Sequence, residues 1–207
     1  MKNQFIKFAT LALLSASVFS CKKDYGVGLG PLQDPQAEIP VTVTNATFFE
    51  RYPVVTTSLA GGGQFTINFE IPAGKGIIRE ITRVVTGPSA VANFGNLNLA
   101  SFGTSLNTTG DGTVALPFVS APIRGNGTNQ ISYTSRISEY LPYRARNNNV
   151  SFGPLATTGN PPVPVIPLAL PAQTSPTVPL DIQYYFRFTL EDGSTIVPMP
   201  VRVRVTP

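Results

Sequence analysis

The chain of 207 residues contains no histidine, no tryptophan and one cysteine, and only 13% of its residues are charged. Each shortage removes a class of chemistry. Without histidine there is no Ser-His-Asp or Cys-His catalysis, no histidine-ligated zinc and no commonest general base. One cysteine cannot form an internal disulfide. Tryptophan is the best aromatic platform for stacking ligands, so its absence leaves tyrosine and phenylalanine to play that part. Low charge with apolar residues at 42% points to a buried core and away from a disordered chain. No phosphate loop or dinucleotide fingerprint is present; Gly26, Gly28 and Gly30 follow no strand pattern and open no helix pattern. No cofactor is expected.

What is abundant is Val, Thr, Ser, Asn, Gly and Pro, the vocabulary of short strands and turns. The clearest pattern lies at Asp181–Val205. Ile182, Tyr184, Phe186, Phe188 and Leu190 alternate with other residues, as do Val197, Met199, Val201, Val203 and Val205. Period-two alternation predicts two strands, and Asp192-Gly193 between them predicts a hairpin. Closing it places Phe188 opposite Val197, Phe186 opposite Met199, Tyr184 opposite Val201, Ile182 opposite Val203 and Asp181 opposite Arg204. Pro198 and Pro200 lack an N–H, which favours a four-residue loop, Glu191 to Ser194, over a two-residue one. It also predicts a free edge for the last strand at the prolines.

Further strands are expected at Ile39–Phe48, Val54–Leu59, Gln64–Ile71, Ile77–Thr86 (with a bulge), Thr113–Val119 and Asn129–Ile137. Leu97 and Leu99 suggest a short strand within a long loop. Glu139–Arg146 reads as a broken segment and Val150–Phe152 as a short one. Pro154–Pro179 is too rich in proline for helix or central strand and is expected to pack across the surface. No fixed-period repeat or interdomain linker divides the chain. The expectation is an all-β protein: one antiparallel β-sandwich over residues 39–207 with long Pro/Gly-rich loops.

The N-terminus has a different design. Lys2 and Lys7 precede the apolar run Phe8–Phe19, too short to span a bilayer as a helix, and Cys21 follows it. Residues 1–20 have the form of a signal peptide. The segment Ser17-Val18-Phe19-Ser20-Cys21 resembles the signal of bacterial lipoproteins, in which a small residue precedes a cysteine that is lipidated and becomes the new N-terminus. The resemblance implies lipidation at Cys21, a tether over residues 21–38, and a place in the bacterial cell envelope, with the outer membrane as the expected site. Acyl chains then supply the membrane attachment. The hairpin pattern likewise resembles the terminal strand pair of immunoglobulin-like modules in bacterial surface lipoproteins.

Removing Lys2 and Lys7 lowers the basic residues from 15 to 13 against 11 acidic, which is no footprint for nucleic acid. Eleven scattered acids leave open a glycoside hydrolase or a carbohydrate-binding module, if two of them face each other across a cleft. Asn107 and Asp111 offer oxygen to a hard cation but lack EF-hand spacing, so no metal site is expected. Tyr140, Tyr143, Arg144 and Arg146 form the candidate contact patch, because exposed Tyr and Arg are enriched at binding hot spots. The functional expectation is a membrane-anchored, non-catalytic structural or binding module whose partner is an envelope protein or a glycan.

Overall fold

The computed structural model describes residues 38–87, 90–147, 157–158, 163–164 and 180–207. The expected signal peptide, Cys21, the expected tether up to residue 37, Val150–Phe152 and most of Pro154–Pro179 lie outside them. The elements in chain order are β1 (Thr42–Val43), β2 (Phe48–Phe49), β3 (Pro53–Ser58), β4 (Gln64–Glu70), β5 (Ile78–Thr86), α1 (Ala90–Asn96), β6 (Thr108–Thr109), β7 (Val119–Ser120), β8 (Ile123–Arg124) and β9 (Gln130–Arg136). A 3₁₀ turn at Ile137–Glu139 leads into α2 (Tyr140–Arg146), followed by β10 (Thr157–Thr158), β11 (Val163–Pro164), β12 (Leu180–Leu190), β13 (Thr195–Ile196) and β14 (Val201–Thr206). The protein is all-β, with two short helices.

Two sheets share one core. The smaller has the order β1-β4-β9. The larger has the order β2-β3-β14-β12-β5-β8, with β13 also on β12. Clean alternation in β4 turns Phe65, Ile67 and Phe69 toward the larger sheet, while β12 turns Ile182, Tyr184, Phe186 and Phe188 toward the smaller. The rings meet between the sheets: Phe65 and Tyr184 lie 5.2 Å apart, Phe69 and Phe186 4.8 Å, and Tyr133 of β9 and Phe186 5.3 Å. These tilted and edge-on pairings suit the aromatic quadrupole.

β5 is a single long strand with irregular pairing to β12. Arg187 pairs with Arg83 but Phe188 with Ile81; Thr189 pairs with Glu80 but Leu190 with Ile78. Thr82 and Arg79 are the extra residues, so the apolar positions of β5 that look helical in spacing are strand positions interrupted twice.

The terminal hairpin corrects the expected loop. At its base the pairing is as the alternation requires: Asp181 with Arg204, Ile182 with Val203 and Tyr184 with Val201. At its tip Phe188 pairs with Ile196, not Val197. The Gly193 N–H donates to the Leu190 carbonyl at 3.0 Å and the Leu190 N–H to the Ser194 carbonyl at 2.9 Å. With Gly193 at φ 85° this is a three-residue turn with a glycine bulge, Glu191 to Gly193, rather than a four-residue loop. The odd loop shifts the register by one. Pro198 and Pro200 then turn inward and are buried, while Val197 reaches the opposite face and packs with Val85, Leu97 and Tyr185. The extra residue is absorbed where proline cannot hold a ladder. At Pro198 and Pro200 no strand pairs with the chain among the described residues, as the prolines require; from Arg202–Val54 to Thr206–Ser58, β3 pairs with β14 in parallel.

Three further expectations change. Leu97 ends α1 instead of a strand; its side chain docks on Val85 and Tyr185. Thr113–Val119 is mostly an ordered turn, with strand only from Val119. Its backbone is held locally, the Asp111 carboxylate accepting from the Thr113 N–H at 2.9 Å and the Thr113 hydroxyl from the Leu116 N–H at 3.1 Å. Glu139–Arg146 contains α2, because Pro142 falls in the first turn, where an N–H has no helical partner to lose. Among the described residues no helix is long and apolar enough to cross a membrane.

Two predictions follow from this packing. Phe186→Ala removes a fully buried ring at the junction of both sheets; urea unfolding should show a loss of about 3–5 kcal/mol. Asp192 accepts hydrogen bonds from the Ser194 hydroxyl at 2.7 Å and its N–H at 2.8 Å, and these hold its carboxyl below the ordinary value. The stabilisation is present above the unfolded value of about 3.9 and is lost as pH falls through the lower folded value. A carboxyl-carbon NMR titration should place Asp192 below that value in the native protein and part of the way back toward it in Ser194→Ala, which keeps the backbone donor.

Candidate functional site

In the segment nominated by sequence, Tyr140 and Tyr143 are turned inward, Arg144 is half-buried and Arg146 is exposed. α2 packs behind the loop that follows α1. Tyr143 is 1% exposed; its hydroxyl donates to the Thr104 carbonyl at 2.7 Å and accepts from the Thr86 N–H at 3.5 Å. Tyr140 is 9% exposed and joins the main core. The Arg146 guanidinium donates to the carbonyls of Gly103, at 3.2 Å, and Ser105, and covers the rings of Phe118 and Tyr143. Burial lowers its pKa from the ordinary arginine value. What looks like a contact patch is a latch that closes the loop of residues 101–106 over β5. Tyr133 and Tyr184 lie nearby in the core, and burial drives both phenols above their ordinary pKa, so they stay neutral.

The outer face of the larger sheet uses arginine in the same way. Arg83 and Arg187 face each other across β5 and β12. Like charges opposite one another repel, and here both guanidinium groups donate to backbone carbonyls of the loop after α1: Arg83 to Ser101 at 2.8 Å and to Leu99, Arg187 to Leu97 at 3.1 Å. Burial first, and then Arg187, lowers the Arg83 pKa from its usual value. Cationic donors to carbonyls withdrawn from water make strong bonds, so this pair clamps the loop.

The predicted cation ligands serve structure as well. The Asn107 side chain accepts from the Val84 N–H at 2.9 Å and the Ser105 hydroxyl at 2.6 Å, and donates to the Thr82 carbonyl at 3.1 Å. Asp111 is occupied within its own turn. Among the described residues no three Asp, Glu, Cys or His side chains gather as metal ligands.

Two carboxylates do converge at one place. β14 carries Arg202 and Arg204 on its outer face, flanked by β12 and β3, and the turn from β2 into β3 brings Glu50 above them. Arg204 holds Asp181 through two bonds, Nε to Oδ1 at 2.9 Å and a terminal nitrogen to Oδ2 at 3.0 Å, and reaches Glu50 at 2.9 Å. Arg202 reaches Glu50 at 3.2 Å and Asp181 at 3.9 Å. The Asp181 bond, followed by that to Glu50, raises the Arg204 pKa above its ordinary value. Aromatic rings border the ladder. Arg51 and Arg202 each lie 5.3 Å from the Tyr52 ring centre, and Arg204 lies 5.8 Å from that of Phe48. Phe48 is 50% and Phe49 68% exposed, although both belong to a strand.

This surface presents exposed phenyl rings beside a bidentate arginine–carboxylate ladder. Chemically it suits contact with a partner: rings for apolar area and guanidinium groups for planar or anionic groups. It does not suit hydrolysis. Glu50 and Asp181 both spend their oxygens on the arginines, and neither faces a cleft between them. The Asp181–Arg204 pairing was visible in the hairpin register. The joining of Glu50 and the phenylalanines was not, since it depends on β3 pairing in parallel with β14. The run Phe48-Phe49-Glu50-Arg51-Tyr52 was the available signal.

Comparison of the chain with protein-family models, with curated proteins and with solved structures finds no match.

The latch makes a definite prediction. Tyr143→Phe leaves the buried Thr104 carbonyl without its hydroxyl donor, and should lower stability by about 1–2 kcal/mol in urea unfolding without altering the outer face around Phe48.

Proposed function

We propose that the protein is a lipid-anchored, non-catalytic β-sandwich of the bacterial cell envelope that engages a protein or glycan partner through the Phe48, Phe49, Arg51, Tyr52 and Arg202 surface. The observation carrying the binding role is the pair of exposed phenylalanines beside the arginine ladder, adjacent on one strand with half or more of each residue open to solvent among the described residues. The anchor rests on Lys2, Lys7, the apolar run to Phe19 and Cys21. An immunoglobulin-like arrangement is supported by the strand orders. Such domains place strands A, B and E side by side in one sheet and C, F and G in the other. Here β1-β4-β9 and β5-β12-β14 occupy those positions in chain order.

A carboxylate-dependent hydrolase has less support, because the converging pair Glu50 and Asp181 is ion-paired on an outer sheet face. Glycan and protein arrays probed with the full chain in detergent micelles separate the partner classes. Phe48→Ser with Phe49→Ser should weaken capture of the partner roughly tenfold or more, with unchanged unfolding; capture unaffected by the double substitution removes this surface from the proposal. Mass spectrometry of the mature N-terminus tests the anchor. A diacyl- or triacyl-modified Cys21 is expected, and an unmodified N-terminus downstream of Cys21 rules it out.

A further inference from the structure

β9 is the outer strand of the smaller sheet, seven residues long and paired with β4 on one side only. Its hydrogen-bonding phase can be read from its two ends. The Ile137 N–H donates to the Gly63 carbonyl at 2.9 Å, and the Ile71 N–H donates to the Asn129 carbonyl at 3.0 Å. The odd-numbered residues therefore turn their backbone groups toward β4. By the alternation of an antiparallel ladder, Gln130, Ser132, Thr134 and Arg136 turn theirs outward. Gln130 is met locally: its N–H donates to the Thr128 hydroxyl at 3.1 Å, and its carbonyl accepts from that hydroxyl at 3.3 Å. The outward N–H and C=O groups of Ser132 and Thr134 meet no partner among the described residues, whereas the Arg136 carbonyl caps the 3₁₀ turn that follows.

Sheet proteins usually blunt such an edge with proline, lysine, a bulge or an inward charge. β9 has none of these. Its register against β4 runs unbroken from Gln64–Arg136 to Glu70–Gln130. Its side chains alternate between buried Ile131, Tyr133 and Ser135 and exposed Gln130, Ser132, Thr134 and Arg136. Beside Gln130, Ile131 and Ser132 lies a cleft of about 300 Å³ whose other wall is formed by Arg124 and Asn126.

We propose that this edge pairs antiparallel with the same strand of a second copy of the chain. One register of the strand against itself aligns its open backbone groups and its charges together. With the twofold axis between the two Tyr133 residues, Ser132 meets Thr134 of the second copy and Gln130 meets Arg136 of the second copy. The Ser132–Thr134 pairs carry the open backbone groups a hydrogen-bonded pair requires, while Gln130 and Arg136, met locally by Thr128 and by the 3₁₀ turn, flank them. Slipping by one residue sets outward-bonding against inward-bonding groups and ends the ladder. The charges agree with the same register. Gln130 lies beside Glu70 on β4 and donates to it at 3.0 Å. Arg136 of the second copy therefore arrives on the same face as Glu70, one strand away, and the two arginines stay apart. Small Ser and Thr side chains across the centre leave the backbones free to approach. The product is one continuous six-stranded sheet, β1-β4-β9 joined to its own image, an isologous contact with closed symmetry. It rests on neither the lipid anchor nor the Phe48 surface, which lies on the other sheet.

Native mass spectrometry of the full chain released from detergent micelles over a range of concentrations tests it, together with amide hydrogen exchange. The wild type should dimerise, with the Ser132 and Thr134 amides gaining protection as the dimer forms. Thr134→Pro removes one outward N–H without touching the β4 ladder, so it should raise the dimer dissociation constant roughly tenfold or more while unfolding stays near wild type. If Thr134→Pro does not fold, the concentration dependence of wild-type exchange decides alone. A chain monomeric at every concentration overturns the proposal. So does a dimer whose edge amides exchange freely, and so does protection of those amides in the monomer, which would mean that another strand holds the edge.

Discussion

The structure depends on β12 being covered on both faces. Most strands of a sandwich have one wet face, but Tyr184, Tyr185, Phe186, Phe188, Thr189 and Leu190 are all buried. On the inner side Tyr184, Phe186 and Phe188 meet Phe65, Phe69 and Tyr133 of the smaller sheet. On the outer side Tyr185 meets Phe94 of α1 at 5.3 Å, with Val85, Leu97 and Val197 around it. A central strand with two dry faces pins everything hydrogen-bonded to it: β5 on one side, β13 and β14 on the other, and β3 through β14.

Covering the outer face of β12 requires a loop, and a loop brings backbone carbonyls that need donors once they leave water. The outer face of the sheet and α2 supply those donors. Arg83 and Arg187 address the turn after α1, Arg146 the loop at Gly103 and Ser105, and the Tyr143 hydroxyl the Thr104 carbonyl. This accounts for the buried Arg83 and half-buried Arg187 in a chain with few charges. Arginine is suited to the task because it keeps its charge and offers five donors in a fixed fork. Where β12 leaves that cover, at Asp181, arginines meet carboxylates, and the outer face becomes an exposed surface bordered by phenylalanine.

The two ends of the sheets are treated differently. The larger sheet finishes in strands of two residues, β2 and β8, too short to template much pairing. The smaller sheet finishes in β9, long, regular and without a charge at its centre. Exposed apolar area and open hydrogen-bonding capacity therefore sit on separate sheets, the first at Phe48 and Phe49, the second at Ser132 and Thr134.

Alternation alone determined the fold class, the strands β4, β9 and β12 with their buried faces, and the pairing of Asp181 with Arg204. Those features depend on neighbours a residue or two away, or on a hairpin whose arms are adjacent in the chain. It left the loop length undetermined, because one residue in a turn changes the register without changing the composition. Gly193 at positive φ selected the three-residue turn, and the prolines absorbed the mismatch. The interior role of Tyr143 and Arg146 also lay beyond pattern, since tyrosine and arginine serve equally well at a contact surface and as donors to a buried loop. Which they do is decided by carbonyls some forty residues away in sequence. The surface at Phe48 came from the parallel pairing of β3 with β14, which joins residues about 150 positions apart. Local period carries no information about such a contact; only closure of the whole sheet creates it.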